Sequence, residues 1–458
     1  MFNFSTTKTE KIIPIIPVVT TDFNNWLKKQ NQQTKNWLAA NKFTAKSATF
    51  CIMPNKNGSA EKIFLGVENA DDFWAFGVLP NKLPEGIYQI VANWKNDQLN
   101  RAYFGWALGC YNFSEYKKIE SPTAKLFISE QNFAEVANIV DGIFLVRNLI
   151  NFPAADLNPE SFAEIITDIA NEFNANITTI TGKDLLKKGF GGIYAVGSSS
   201  PHQPCLVEFT WGNRKHKKVT LVGKGVCFDS GGLDIKPSDN MLLMKKDMAG
   251  AAHALALAQM IMSAELPIYL HVIIPLAENV VGSKSFKPGD VIRSYKGLTV
   301  EVTNTDAEGR LLLMDALALA CENKPDLLID FASLTGAARI ALGTDIAALF
   351  SNNDELAEQI KIYAEQEQDP VCQLPLYAPY KDQLKSDIAD LANSGSGRYG
   401  GAITAALFLQ EFVDSAIPWL HFDIMAYNLS DKPGRPKGGD AQGLRAIFQF
   451  ITNSQFNC

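Results

Sequence analysis

Apolar residues recur at spacings of three and four between residues 129 and 151, at Phe133, Val136, Ile139, Ile143, Phe144 and Val146. That period predicts an amphipathic helix from Ser129 to Asn151. Pro153 and Pro159 stop it, and Asn158-Pro159-Glu160-Ser161 reads as a turn into a second helix. The pattern then changes. Short apolar runs (Val219–Val222, Ile268–Pro275, Val300–Val302, Leu327–Ile329) alternate with Ala- and Leu-rich helical stretches, clearest at Met241–Ile261, Arg310–Ala320 and Ala402–Val413. Strands alternating with helices predict an α/β domain whose mixed or largely parallel sheet is covered on both faces. Functional groups in such domains gather where strands run out into loops at their carboxyl ends. Residues 1–125 differ: they are rich in Asn, Lys and aromatic residues, with short strand-like runs such as Ile63–Val67 and no internal repeat.

Length adds a bound, because 458 residues leave room for two or three domains at roughly 150 residues each. The 47% hydrophobic and 20% charged composition is that of a folded chain. Lys8 and Lys11 precede an apolar stretch, Ile12–Val19, but its two prolines and the lack of a small-residue cleavage pattern argue against a signal peptide. No apolar run approaches the ~18 residues a membrane helix needs. The net charge of −7 disfavours a dedicated nucleic-acid binder. The first 50 residues carry seven Lys against Glu10 and Asp22, a segment read as a solvated face.

Five histidines, none paired four apart, and seven cysteines scattered singly change the picture more. They remove the helical HExxH zinc site and every CxxC-based metal or redox centre. Single, unpaired thiols fit packing roles in a reducing, cytoplasmic compartment. Phosphate and nucleophile motifs also fail. Gly223-Lys224-Gly225 lacks the Ser or Thr of a P-loop, Tyr194 replaces the third glycine of a dinucleotide loop after Gly189, and no Gly-x-Ser-x-Gly elbow exists. Metal or hydrolytic chemistry here must come from carboxylates, Lys and Arg.

Those residues concentrate in two segments. In the first, Lys224 and Asp229 emerge from an apolar strand into a glycine-rich turn, Lys236 follows, and Asp247 lies on the helix Met241–Ile261 among Met244, Met248, Ala251 and Ala252. In the second, Asp306 and Glu308 stand two apart, on one side of an extended strand end, before Arg310 opens a helix. Carboxylates buried together raise one another's pKa and need cations. Four acids with few basic partners suit two divalent ions sharing oxygens. Any one of these acids alone reads as a cap or surface ion pair; a set drawn from several strand ends and a helix does not. Asp315, Asp330, His253, His421 and Asp423 sit in apolar stretches and read as packed, hydrogen-bonded groups. Gly395–Gly401 and Gly434–Gly443 read as flexible loops able to rim a pocket.

At VGKGVCFDSGGLDIKP and NTDAEGRLLL the sequence resembles the leucyl aminopeptidase family, dinuclear-metal cytosolic exopeptidases whose signature looks like the octet NTDAEGRL. The resemblance runs from about Asn148 to Gln449, through NFPAADLNPESF, DFASLTGAARIALG, GGAITAALFLQEF and WLHFDIMAY. Residues 1–125 match weakly. It implies a small variable N-terminal α/β domain (residues 1–125), a linking helix (126–150) and a large C-terminal α/β catalytic domain (151–458) with a mixed, largely parallel sheet flanked by helices. Carried over residue by residue, it implies one ion on Asp229, Asp306 and Glu308, with the Asp306 carbonyl assisting. A tighter ion would sit on Lys224, Asp229, Asp247 and Glu308. Lys236 would polarise the scissile carbonyl, and Arg310 would hold a bicarbonate base. Met244, Ser333, Leu334, Gly336, Met425 and Asn428 would bind substrate, with Met425 narrowing the side-chain pocket. The resemblance further implies Mn or Zn, peptide substrates with a free N-terminus, and a homohexamer. Two rivals remain open at this level: a two-metal phosphoesterase, and a DNA-binding accessory or regulatory role supported only by the basic first 50 residues.

Overall fold

The computed structural model describes residues 2–7 and 11–453. Lys8, Glu10 and Cys458, which entered the readings of the N-terminus and of the cysteines, lie outside the described residues. The chain divides into two compact units, one of residues 1–144 with 428–437 and one of residues 145–427 with 438–458.

The first unit is built on a six-stranded sheet. Its strands are β1 (Phe4–Ser5), β2 (Ile13–Val19), β3 (Phe50–Pro54), β4 (Ala60–Val67), β5 (Gly86–Ile90) and β6 (Ala124–Phe127), ordered β1-β6-β5-β2-β4-β3. All neighbours are parallel except β3 and β4. The stretch with two prolines, weighed above only as a leader, is thus the internal strand β2. Pro14 and Pro17 lack the amide donors that internal strands ordinarily use, yet Ile15 pairs with both Ile63 and Ile90.

The second unit holds the candidate metal-binding residues Lys224, Asp229, Asp247, Asp306 and Glu308. Its main sheet comprises β7 (Asn176–Thr181), β8 (Cys205–Trp211), β9 (Lys217–Gly223), β10 (Gly225–Asp229) and β11 (Ile268–Asn279). A small sheet follows from β12 (Val291–Arg293) and β13 (Thr299–Glu301), before the main sheet resumes with β14 (Leu327–Ala332), β15 (Ala347–Ser351) and β16 (Val371–Gln373). Then β17 (Leu391–Ala392) joins the small sheet and β18 (Trp419–Asp423) the main one. The main order is β16-β15-β18-β14-β9-β11-β8-β7, with β10 pairing β11. Its centre, β18-β14-β9-β11, is parallel, while β15 and β8 add antiparallel neighbours. Helices cover both faces, which is why the central strands are buried and largely apolar. On one face Val222, Ile273, Leu328 and Trp419 pack with Leu311, Leu312, Leu407 and Phe408. On the other, Phe331 lies against His253 of the helix Ala249–Ser263.

The helix expected from Met241 to Ile261 is broken. A short turn at Ser238–Met241 and a 3₁₀ turn at Met244–Met248 precede the helix proper, Ala249–Ser263. Asp247 therefore sits on the tight turn before the helix. The expected helices at 129–151 and 310–320 form as Glu130–Asn151 and Gly309–Glu322. Asn158 caps Pro159–Glu172, accepting from the amides of Glu160 and Ser161.

The polar residues read as packed groups have identifiable partners. Asp330 accepts from the Trp419 indole at 2.7 Å and lies 2.6 Å from His421 Nδ1. Asp315 accepts from the amides of Gly192, Ile193 and Tyr295. His253 Nδ1 lies 2.7 Å from the Ala249 carbonyl, and Nε2 accepts the Gln442 amide at 3.0 Å. Both contacts require the neutral ring with its proton on Nδ1. Burial accordingly pushes the His253 pKa down to about 4. Because the unfolded chain takes up this proton first, the contribution is complete above pH ~6.5 and is lost as pH falls toward 4, by about 3 kcal/mol. Urea unfolding at pH 7 and pH 5 is expected to show a smaller acid loss in His253→Gln than in the parent; equal losses would show that His253 is not the sensor.

Candidate metal centre

Lys224 stands where the chain leaves the central sheet. Its amide donates to Phe331 O of β14 at 3.0 Å, and its carbonyl accepts from Ala251 N at 2.8 Å. After this residue the strand abandons β14, and β10 runs on beside the end of β11. The side chain is 2% exposed. Nζ contacts Asp247 Oδ2 at 2.6 Å and Glu308 Oε1 at 3.1 Å, and donates to Ser333 O at 3.0 Å. Ser333 Oγ donates to the other Asp247 oxygen at 2.8 Å. An alkyl chain passes so close to the next segment only because residue 309 is glycine: a Cβ there would fall 2.2 Å from Lys224 Cε.

Asp229 closes β10. Its Oδ1 accepts from Gly231 N at 2.9 Å and Asn279 Nδ2 at 2.8 Å. Gly231 and Gly232, at φ +88° and +67°, take a left-handed path that costs other residues about 1 kcal/mol or more each. The turn returns Lys236 to the same carboxylate, with Nζ 2.8 Å from Asp229 Oδ2 and paired also with Asp306. Asp306 and Glu308 do not sit on an extended strand end, as the sequence suggested. β13 ends at Glu301; Asp306 lies in a turn, and Glu308 is already helical (φ −76°, ψ −36°) at the start of Gly309–Glu322. The turn nevertheless achieves the same result, since carboxylate oxygens of Asp229, Asp306 and Glu308 lie within 4.8 Å of one another.

The charges are strained by one another. Burial and the neighbouring Asp247 raise Asp229 to about 6, while burial and Asp229 raise Glu308 to about 7. Burial, then Glu308, also raises Asp306. Burial opposes charge on Asp247 and Lys224, but their mutual attraction outweighs it, holding Asp247 low and Lys224 high. An excess of carboxylates at hydrogen-bond range around two lysines is the donor set that hard divalent cations need. The residues fit such ions.

Arg310 is buried, and burial lowers its pKa to about 10. Nη1 donates to Asn393 O at 2.8 Å, whereas Nε is sealed from solvent without a partner. A buried guanidinium N–H aimed at nothing, at a helix N-terminus, fits a small anion.

Among the residues expected to bind substrate, Met244 and Met425 are each 6% exposed, and Met425 Sδ lies 3.6 Å from Arg339 Nη1. Ser333 touches Asp247 as described, Leu334 is half-buried and Gly336 is exposed. Asn428 is buried and donates to Pro436 O at 3.2 Å; it falls in the segment 428–437 that groups with the first unit.

Three organising residues escaped the sequence reading. Asn279 donates to Asp229 and to Thr305 O, tying together the two segments that carry the clustered carboxylates. Asn393, fully buried, accepts the amides of Thr303 and Asn304 and donates to Asn304 O and Ala307 O, setting the path of the turn before Glu308. Asp423, read only as a packed core group, accepts the amides of Leu334 and Thr335 and the Thr335 hydroxyl, fixing the loop after β14. No local pattern marks an asparagine whose partners lie dozens of residues away.

Comparison with known proteins identifies the family. The profile of the cytosol aminopeptidase family catalytic domain matches residues 144–448, and that of the M17 aminopeptidase N-terminal domain matches residues 13–129. A probable cytosol aminopeptidase of Chlamydia caviae is 41% identical over 358 residues, 74% of this chain and 72% of that protein. The crystal structure of cytosol aminopeptidase from Coxiella burnetii superposes with a TM-score of 0.95 at 47% identity, covering 99% of each chain. The bottromycin maturation enzyme BotP in complex with Mn gives 0.87 at 32%, covering 96% of this chain and 98% of that one. No described helix is long and apolar enough to cross a membrane. The chain belongs to the cytosol aminopeptidase family of metal-dependent peptidases, hydrolases that release the N-terminal residue of peptides.

Proposed function

We propose that this chain is an active two-ion aminopeptidase, with catalytic and substrate-binding residues in the roles their positions suggest. The observation that carries the reading is the convergence of Asp229, Asp306 and Glu308 within 4.8 Å beside Lys224 and Asp247. Asp229, Asp306 and Glu308 would hold one ion, with the Asp306 carbonyl assisting. Lys224, Asp229, Asp247 and Glu308 would hold the other. Two divalent ions there would supply Lewis acidity toward the scissile carbonyl and lower the pKa of a shared water. Lys224 must give up its proton to serve as a ligand; the Ser333 carbonyl and the Asp247 and Glu308 carboxylates already orient its nitrogen.

Lys236, 13% exposed and paired to Asp229 and Asp306, reaches the open side of the cluster. Its ammonium would donate to the carbonyl oxygen as negative charge develops there. Arg310 would hold a bicarbonate through the unpartnered Nε, keeping a proton acceptor beside the attacking water. Met244, Ser333, Leu334, Gly336 and Met425 would receive the N-terminal residue, Met425 limiting its girth. Mn or Zn suits an oxygen-plus-amine donor set, and the BotP relative was solved with Mn. The reading extends to a cytoplasmic homohexamer acting on peptides.

Apo protein assayed against a matrix of Mn, Zn, Co and Mg with Leu-anilide and N-acetyl-Leu-anilide tests it. Hydrolysis is expected to require metal and a free amine, with at least about a hundredfold preference for the free substrate, ~3 kcal/mol. Phosphate-ester hydrolysis without anilide turnover would instead favour the phosphoesterase reading.

A further inference from the structure

Among the described residues of the second unit, five other than glycine take a positive φ: Asn174, Glu265, Lys324, Gln368 and Ala426. The first four each stand two residues past the end of a helix (Pro159–Glu172, Ala249–Ser263, Gly309–Glu322 and Asp354–Gln366). There a left-handed residue closes the last turn. Ala426, at φ +52°, closes no helix. It is fully buried and stands three residues past the end of β18, next to Met425. A left-handed residue that carries a Cβ persists in a core only where its surroundings hold it there.

The segment Asp440–Gln442 grips Ala426 at both ends of its backbone. Ala426 N donates to Gln442 Oε1 at 2.7 Å, and Asp440 N donates to Ala426 O at 3.0 Å. Gln442 is itself fixed, because Nε2 donates to Thr344 O at 2.8 Å and its backbone amide to His253 Nε2 at 3.0 Å. With Nε2 spent on Thr344, only Oε1 is left to accept from Ala426. Asp440 is paired to the buried Arg147 through Nε and Nη2, each at 3.0 Å. Before Met425 the chain is equally fixed. Ile424 N donates to Ala332 O at 2.9 Å, and Asp423 accepts the amides of Leu334 and Thr335. Met425 is thus caught between strand-like pairing on one side and a clamped left-handed step on the other, with its sulfur 3.6 Å from Arg339 Nη1. We infer that Gln442 is a positioning residue for substrate selection. By clamping Ala426 it fixes the wall that Met425 forms, and so sets the girth of the N-terminal side chain that the enzyme accepts. This rests on the aminopeptidase reading, in which Met425 bounds the side-chain pocket, and deepens it.

The test uses Mn-loaded protein and the p-nitroanilides of Ala, Leu and Phe, reading the ratio of kcat/KM for Phe over Ala. Gln442→Met keeps the side-chain length and removes the bond to Ala426 N, so the wall should give way. The Phe/Ala ratio is expected to rise at least about tenfold, the scale on which an apolar pocket senses one methylene. Lost stability alone would lower both rates together and leave the ratio unmoved. Adding Ala426→Gly should bring the ratio back toward the parent's, because glycine holds φ +52° without strain. In a Met425→Ala background, Gln442→Met should no longer raise the ratio, since the two residues act as a unit. Should Gln442→Met fail to fold, Gln442→Asn, whose shorter amide falls short of Ala426 N, is expected to give the same rise. An unchanged or lower ratio in a folded variant that turns over Ala-anilide would overturn the role of Gln442 and leave the aminopeptidase reading standing. A rise that persists in full in the Met425→Ala background, or that Ala426→Gly does not reverse, would overturn it too. No turnover of any anilide by the parent with Mn, Zn, Co or Mg would overturn both.

Discussion

Glu308→Gln is expected to lower kcat/KM for Leu-anilide at least about a thousandfold, ~4 kcal/mol of transition-state stabilisation. Glu308 is 2% exposed and lies at the centre of the cluster, 3.1 Å from Lys224 Nζ and within the carboxylate group formed with Asp229 and Asp306. The amide keeps the volume and one carbonyl oxygen but removes a charge and an acceptor, so the fold should persist while ion binding weakens. Bound-metal stoichiometry and far-UV circular dichroism, measured on the same preparation, separate the two effects. Because the free site crowds like charges, burial and Asp229 push Glu308 up to about 7. Neutralising it should therefore leave the metal-free protein as stable as the parent or slightly more so. Parent-like activity in the variant would remove Glu308 from the ligand set.

The second large effect is expected from a residue with no chemistry of its own. In Gly309→Ala the new methyl would fall 2.2 Å from Lys224 Cε and 2.7 Å from Nζ, distances no contact tolerates. What must yield is the far end of a flexible side chain rather than backbone, so the cost in stability should be modest, about 1–2 kcal/mol. The end that yields, however, is the nitrogen held by Asp247, Glu308 and Ser333. A displacement of about 1 Å at a positioned group can cost on the order of a hundredfold in rate. The variant should fold cooperatively, lose about a hundredfold or more in kcat/KM, and bind metal more weakly than the parent. A fully active Gly309→Ala enzyme would show that Lys224 need not occupy its observed position. Gly309 lies inside the signature octet, and the clash supplies a physical reason for glycine there.

Much of the architecture was legible because the signals were periodic. The helices at 130–151, 309–322 and 401–410 and the strands β9, β11 and β14 follow from apolar spacing and from the alternation of apolar runs with Ala- and Leu-rich stretches. Local rules failed where tertiary contacts overrode them. The stretch around Asp247 reads as one helix by composition, but the chain must present that carboxylate to Lys224 and Ser333, and a 3₁₀ turn at 244–248 does so. Asp306 and Glu308 were paired by an assumed strand alternation; they meet because Asn393 and Asn279 hold the turn around them. Met425 was read as steric narrowing alone, whereas the structure sets a guanidinium against its sulfur.

By itself the sequence determined the kind of chemistry available. Five histidines and no paired cysteines excluded the common zinc designs, and the acids and lysines of two short segments left a carboxylate–lysine site. Residue types decide which charges can exist, and that information is local. Only the tertiary structure decided which charges face each other. It sets Lys224 between Asp247 and Glu308, and returns Lys236 to Asp229 across a left-handed glycine turn. Ion pairing acts over a few ångströms in space, between residues as far apart in the chain as 224 and 308, and no period along a sequence records that distance.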